Sequence, residues 1–165
     1  MKKYLIVFLS SSLLIACNSD ADENAAEAKD STGHDMHQAT TGVQMPPMPE
    51  VPDYAKVFFK NIKDGQTVTS PLKIEMGVEG MSLDTANGIL KPASGHHHIL
   101  IGMDSITTET VVPKDSVHLH YGNAQSNAEV VLPPGKHTLT LQFADAMHRS
   151  YGGRLTSKVT VTVKQ

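Results

Sequence analysis

The stretch Lys158-Val159-Thr160-Val161-Thr162-Val163-Lys164 decides the fold class, because apolar and polar side chains alternate along its whole length. Successive side chains of a strand point to opposite faces, so the three valines would share one buried face and the other residues would meet water. The same alternation runs through Leu72-Lys73-Ile74-Glu75-Met76-Gly77-Val78. Both stretches therefore predict β-strands with one face in a core.

Five further stretches are short and bounded by residues that favour turns, which is typical of strands in a small all-β fold. They are Lys56–Asn61, His97–Met103, Val117–Tyr121, Glu129–Leu132 and His137–Phe143. About seven strands in roughly a hundred residues predict an all-β domain, an immunoglobulin-like antiparallel β-sandwich. A small β-barrel is the alternative, because the number of strands does not distinguish the two.

The N-terminus has the pattern of an export signal. Met1-Lys2-Lys3 is positively charged, and Tyr4–Ile15 is apolar but too short to cross a bilayer as a helix. Leu14-Ile15-Ala16-Cys17 resembles the bacterial lipobox, in which the cysteine is acylated and becomes the new N-terminus. Because the chain has one cysteine, lipidation also explains why Cys17 has no disulfide partner. An ordinary secretory signal followed by a chance cysteine is the alternative.

These observations predict three segments. Residues 1–16 would be a lipoprotein signal peptide, and residues 17–53 would be the lipidated cysteine followed by a disordered acidic tether with His, Met and Pro residues. Residues 18–53 carry eight acidic residues against one basic residue and have few large apolar side chains. Residues 54–165 would be the histidine-rich β domain.

The predicted location is the bacterial cell envelope, with the membrane as a partner through the N-terminal lipid. Asn18 rather than aspartate follows the cysteine, which indicates the outer membrane if the cell is Gram-negative. An envelope protein is a further expected partner. Nucleic acid is excluded, because the β domain has a mild formal charge of +2 and no basic stripe or aromatic platform.

Histidines are concentrated in the predicted β domain, which contains seven of the nine. They are His96, His97, His98, His118, His120, His137 and His148. Residues two apart on a strand project from the same face, so His96 pairs with His98 and His118 pairs with His120. If the apolar residues between them face the core, both pairs face away from it. Neighbouring strands would then bring four imidazoles to one surface.

Imidazole is a suitable ligand for Cu²⁺ and Zn²⁺, and a pair on one strand loses little freedom when it binds an ion. The sequence therefore predicts a copper or zinc site formed by His96, His98, His118 and His120. The alternative is that the histidines are structural, with their ring nitrogens bonded to backbone carbonyls or to Asp104, Asp115 or Asp145. His137 best fits that role, because it shares a strand face with core residues.

Methionines add a weaker indication of copper, because soft thioethers favour Cu⁺. The tether contains Gly33-His34-Asp35-Met36-His37 and Met45-Pro46-Pro47-Met48, and two methionines lie close in sequence to domain histidines. We assign secondary metal-binding or structural roles to His97, His137, His148, Met103 and Met147.

Three motifs follow one another in the β domain. They are Gly95-His96-His97-His98-Ile99-Leu100-Ile101, then His120-Tyr121-Gly122 with Gln125, then Leu132-Pro133-Pro134-Gly135-Lys136-His137-Thr138-Leu139 with Asp145 and His148 downstream. In this order they resemble an uncharacterised bacterial family, domain of unknown function 4399. The resemblance implies an exported β domain defined by the triple histidine and the Pro-Pro-Gly-Lys-His-Thr-Leu segment. It leaves function open.

The sequence departs from the family pattern after His148. The resemblance implies a proline-rich, histidine-bearing run there, and this chain has Arg149-Ser150-Tyr151-Gly152-Gly153 instead. Ala124 and Ser126 also replace the expected glycine and threonine around the glutamine. A ligand that the family supplies after His148 would therefore be missing.

Three functions are compatible with these features. The leading hypothesis is non-catalytic binding of copper or zinc for buffering, sensing or delivery in the envelope. The second is a structural or recognition module that binds a protein or a glycan. The third is an enzyme with a redox copper site, which we rank last because the sequence has no Gly-x-Ser-x-Gly, His-Glu-x-x-His or nucleotide-loop motif.

Overall fold

The computed structural model describes residues 44–165. The predicted signal peptide, Cys17 and most of the predicted tether lie outside these residues. In residues 44–165, no helix has the length and apolar composition needed to cross a membrane.

Nine strands form two sheets. They are β1 Lys56–Phe59, β2 Gln66–Val68, β3 Leu72–Glu79, β4 Ser82–Leu83, β5 Ser94–Ile101, β6 His118–Tyr121, β7 Asn127–Val130, β8 Gly135–Ala144 and β9 Thr156–Val163. The smaller sheet has the order β1-β3-β7. The larger has the order β2-β9-β8-β5-β4, with β6 also paired to β5. A short 3-10 helix, Gly152–Leu155, precedes β9.

The predicted all-β sandwich is confirmed, and each of the seven predicted strands corresponds to one strand of the structure. The two additional strands, β2 and β4, have three and two residues. They are too short to show an alternating pattern; β2 pairs with the distant β9, whereas β4 pairs with the next strand, β5. Both of these pairings are parallel, whereas all the others are antiparallel.

The main core contains the alternating residues from which the fold was predicted. Val159, Val161 and Val163 of β9 are buried, as are Ile74 and Met76 of β3. Each such side chain contributes about 1.5–3 kcal/mol when it leaves water. The opposite faces of these two strands are mostly exposed or half-buried, in agreement with the predicted period of two.

β5 is the exception to this pattern, because every residue from Ser94 to Leu100 is buried. One face of β5 contributes Ile99 to the main core, and the other contributes Leu100 to a second, smaller cluster with Val112 and Ala144. Two half-buried residues of the β5–β6 connection, Met103 and Ile106, pack against the smaller cluster. The larger sheet is therefore covered on both sides around β5.

Part of the predicted tether, residues 46–52, contacts the β domain. Met48 and Val51 contact the main core. The Nη1 of Arg149 donates to the Pro46 carbonyl at 2.6 Å, and the Nη2 of Arg154 donates to the Pro52 carbonyl at 2.7 Å. Proline has no backbone N–H, so at Pro46 and Pro52 the carbonyl is the only backbone group that needs a hydrogen-bond partner. The two arginines provide that partner.

Candidate metal centre

The pairing of β5 with β6 brings histidines together, as the sequence predicts. His98 lies directly opposite His120 in the antiparallel register, and His96 lies two residues before His98 on the same face. The ring centroids are 4.8 Å apart for His96 and His98, 5.0 Å for His96 and His120, and 5.1 Å for His98 and His120. These three rings form the centre of the candidate site.

The potential ligand atoms of these three histidines all lie within 4.8 Å of one another. The Nε2 atoms of His96 and His98 are 2.9 Å apart. Ligands about 2 Å from a common ion are separated by about 3–3.5 Å, so small shifts of the rings would accommodate one ion. The donor set and its spacing therefore fit a copper or zinc ion.

Several ring nitrogens of the centre lack hydrogen-bond partners within the described part of the chain. They are Nδ1 of His96, Nδ1 of His98 and Nε2 of His120, and all three are buried. Buried polar atoms are normally paired, because an unpaired one costs about 1–3 kcal/mol. The cluster is thus polar and incompletely satisfied by hydrogen bonds within residues 44–165.

Gly122 makes room for the His120 ring. A Cβ atom added at Gly122 would overlap Cε1 and Nε2 of His120 and would also press on the Cβ of Ala86. The His-Tyr-Gly motif therefore has a packing reason: the third residue must lack a side chain so that the first can turn toward β5.

The fourth ring at the centre belongs to His148, whereas the sequence predicted His118. The His148 ring centroid lies 4.8 Å from that of His120 and 5.1 Å from that of His96. His118 shares the face of His120, but it lies opposite Leu100 and outside the group of converging ligand atoms. Its Nδ1 donates to both carboxylate oxygens of Asp115, at 2.8 and 2.9 Å. The structure therefore brings three of the four predicted ligands together and leaves His118 outside; the ring of His148 lies near, although His148 is also not one of the three histidines whose ligand atoms converge.

A buried carboxylate shapes the loop that carries His148. Oδ1 of Asp145 accepts hydrogen bonds from the backbone amides of Met147 and Arg149, at 2.8 and 2.9 Å. Oδ2 pairs with Nε and Nη2 of Arg149, at 2.8 and 2.7 Å. The backbone of His148 has a positive φ of 65°, an uncommon conformation for a residue with a side chain. The Asp145 network holds this loop in place.

Burial keeps the centre uncharged. His96 and His98 are fully buried, which lowers the pKa of His96 to about 3 and that of His98 to about 2. Neighbouring histidines lower both pKa values further. The pKa of the half-buried His120 is also lowered, first by burial and then by His148 and Lys114. At neutral pH these imidazoles are neutral and have lone pairs available for a metal.

The centre is largely buried, with His96 and His98 fully buried and His120 and His148 half-buried, whereas the sequence reasoning placed four imidazoles on a surface. The histidines do face away from the main core, as predicted. However, the side chains beside them on that face, Leu100 and Ala144, belong to the second cluster under Val112. This cover could not be anticipated, because the β5–β6 connection that helps to form it has no regular hydrophobic period.

Two other histidines have different surroundings. His97 projects into the main core, where its ring centroid lies 5.1 Å from that of Phe143. Its burial, and to a lesser extent Lys60, lowers its pKa to about 4. His137 donates from Nε2 to the Pro133 carbonyl at 2.9 Å, which is a structural contact. The structure does not bring either ring to the centre.

The two methionines assigned secondary roles, Met103 and Met147, are both half-buried. Met103 packs against the smaller cluster, and its carbonyl accepts a hydrogen bond from the Thr140 hydroxyl at 2.7 Å. Met147 is half-buried and precedes His148 in the loop fixed by Asp145. Met103 therefore has a clear packing role.

Comparison with known proteins identifies the family but no characterised relative. No curated protein and no solved structure matches the chain significantly. One family model, described as "Domain of unknown function (DUF4399)", matches residues 74–164, which is more than half of the chain. The matched region includes the four histidines of the centre and the Asp145 loop. The chain therefore belongs to the family of Domain of unknown function (DUF4399).

Proposed function

We propose that this domain binds a transition-metal ion, copper or zinc, through His96, His98 and His120, with His148 as a fourth ligand. The observation that carries the proposal is the convergence of three imidazoles, two of them fully buried and that of His120 half-buried, whose ligand atoms lie within 4.8 Å of one another. We propose binding alone, without catalysis, for buffering, sensing or delivery of the ion.

The alternative of purely structural histidines is less well supported at this centre. A structural histidine would have its ring nitrogens bonded to carbonyls or carboxylates, as in His137 and His118. In the centre, by contrast, His96 and His98 contact each other, and their Nδ1 atoms lack partners among residues 44–165. His97, outside the centre, also has both ring nitrogens unpaired among the described residues, so the feature that distinguishes the centre is the convergence of its rings rather than the missing partners.

The test is calorimetric titration of the purified protein with Cu²⁺ and with Zn²⁺ at neutral pH. His120→Gln and His118→Gln are a matched pair, because the two residues lie on the same face of one strand. We expect one ion per domain, a loss of at least about tenfold in affinity for His120→Gln, and little change for His118→Gln. Binding no tighter than tens of micromolar would end the proposal.

A second control separates the domain from the N-terminal segment. His34 and His37 lie in a stretch that also contains Met36 and could bind metal weakly. Replacing both histidines with alanine should leave the tight binding unchanged. If that variant loses the tight binding while His120→Gln keeps it, the ligands belong to the N-terminal segment and not to the centre.

We also propose that Cys17 attaches the protein to the cell envelope through lipid. The support is the lipobox-like sequence before Cys17 and the charged, then apolar, residues that precede it. Cells that express the protein should incorporate labelled palmitate into it and retain it in the membrane fraction. A Cys17→Ala variant that still carries the label and remains in that fraction would contradict this part of the proposal.

A further inference from the structure

We propose that the metal centre selects a singly charged ion, Cu⁺, over the doubly charged Zn²⁺, an inference that rests on the proposed function above. The basis is the charge balance of the site, which contains neutral ligands and little free negative charge. The inference concerns copper supplied as Cu⁺ and includes no oxidation or reduction step.

The ligands themselves bring no negative charge. The converging group in residues 44–165 consists of three histidines and includes no carboxylate. With neutral imidazoles, a bound Cu⁺ leaves the centre with one positive charge and a bound Zn²⁺ leaves it with two. His96 and His98 are fully buried, so this charge is largely removed from water. The desolvation cost of an ion grows with the square of its charge, so for ions of similar size the cost of a doubly charged ion is about four times that of a singly charged ion.

The carboxylates of Asp145 and Asp115 already have partners within the protein, so they offer little free negative charge to a bound ion. Asp145 pairs with Arg149 through two nitrogens and accepts two backbone hydrogen bonds, so its charge is compensated. Asp115 is bonded to His118, and about half of its side chain is exposed to screening by water. Lys114 adds positive charge near His120, where it contributes to the lowered pKa of that residue.

The outer nitrogens of the ligands are a second, independent observation. When Nε2 binds a metal, Nδ1 carries the ring proton and becomes a stronger donor. Zinc-binding histidines usually donate this proton to a carboxylate or a carbonyl, which helps to spread the charge of the ion. In the described part of the chain, Nδ1 of His96 and Nδ1 of His98 have no such acceptor. This lack penalises Zn²⁺ more than Cu⁺.

Cu⁺ and Zn²⁺ allow a clean comparison, because both have a filled d shell and neither imposes a geometry through it. Ag⁺ has the charge and the closed shell of Cu⁺ and does not change oxidation state in air. The experiment measures Ag⁺ and Zn²⁺ binding to the purified protein in chloride-free buffer at neutral pH. Cu⁺ is measured without oxygen, in competition with a coloured Cu⁺ chelator.

We expect Ag⁺ and Cu⁺ to bind at least about 100-fold more tightly than Zn²⁺. The NMR signals of the ring nitrogens of His96, His98 and His120 should shift when Ag⁺ is added, which distinguishes the centre from methionine thioethers. Shifts confined to other residues would overturn the inference.

A matched pair of variants isolates the role of charge. His120→Glu and His120→Gln have side chains of the same length at a half-buried position, and only the first is charged. Because a carboxylate offsets one charge of Zn²⁺, Zn²⁺ should bind His120→Glu at least about tenfold more tightly than His120→Gln. For Ag⁺, the ratio of the two affinities should be smaller.

The outcomes separate this inference from the proposed function. If Zn²⁺ binds the wild-type protein as tightly as Ag⁺ and Cu⁺, charge selection is overturned and the metal centre is retained. If none of the ions binds, both proposals are overturned. Equal ratios for Zn²⁺ and Ag⁺ in the variant pair would show that charge does not set the preference.

Discussion

Acid should unfold the metal-free domain well above the pH at which carboxylates titrate, because three of its histidines are fully buried and neutral. Burial lowers the pKa of His96 to about 3, that of His97 to about 4 and that of His98 to about 2. In the unfolded chain each would have a pKa near 6.5. Below that pH the unfolded state binds protons that the folded state does not bind, so stability falls as the pH falls.

The size of the effect follows from the number of protons. Each histidine changes the free energy of unfolding by about 1.4 kcal/mol per pH unit, so three change it by about 4 kcal/mol per unit. Between about pH 6.5 and about pH 4.5 the loss amounts to about 7 kcal/mol, because the unfolded histidines are only half protonated at the upper limit. Typical domains have a total stability of about 5–15 kcal/mol, so most of the stability would be lost in this window.

Urea unfolding, followed by far-ultraviolet circular dichroism at several pH values with a chelator present, measures this loss directly. His97→Leu removes one of the three histidines and leaves the centre intact, so the dependence on pH should fall by about one third. A free energy of unfolding that stays constant or rises as the pH drops from about 7 to about 5 would refute the reasoning.

Two further predictions concern the support of the centre. Gly122→Ala should displace the His120 ring, because the added Cβ would overlap it, and should lower stability by about 1–3 kcal/mol and weaken metal binding; calorimetry and thermal unfolding measure both effects. Gly153→Ala is the control, because its Cβ would have only one neighbour, at 3.9 Å, and an equal loss in both variants would contradict the explanation. Arg149→Gln should cost about 3–5 kcal/mol in thermal unfolding, because it leaves the buried Asp145 carboxylate without its ion pair; a loss below about 1 kcal/mol would show that the pair is not needed.

The sequence predicted those strands in which apolar and polar side chains alternate with a period of two residues. The alternation around Val161 and Ile74 predicted strands whose buried faces the structure contains in its main core. β2 and β4 were missed, because two or three residues are too few to show a period of two, and β2 in addition pairs with the distant β9. The burial of both faces of β5 was also missed, because it depends on a connection folded over the sheet.

The same alternation predicted the part of the candidate site that lies on the paired strands β5 and β6. Strand alternation correctly grouped His96 and His98, and the adjacency of β5 and β6 added His120. The same alternation also grouped His118 with these residues, but it gives no information about the bond of His118 to Asp115, and in the structure His118 lies outside the three converging histidines. His148 lies on a loop whose positive φ depends on long-range contacts, and no local pattern reveals such contacts.

The hydrogen bond between Arg149 and the Pro46 carbonyl connects the N-terminal end of the described residues to the loop of His148. A force applied to the chain before Pro46 would act on this hydrogen bond as well as on the backbone, and the same guanidinium is paired with the Asp145 carboxylate that holds the loop of His148. Tension at Pro46 would therefore be transmitted through two side chains, Arg149 and Asp145, to the loop that carries His148.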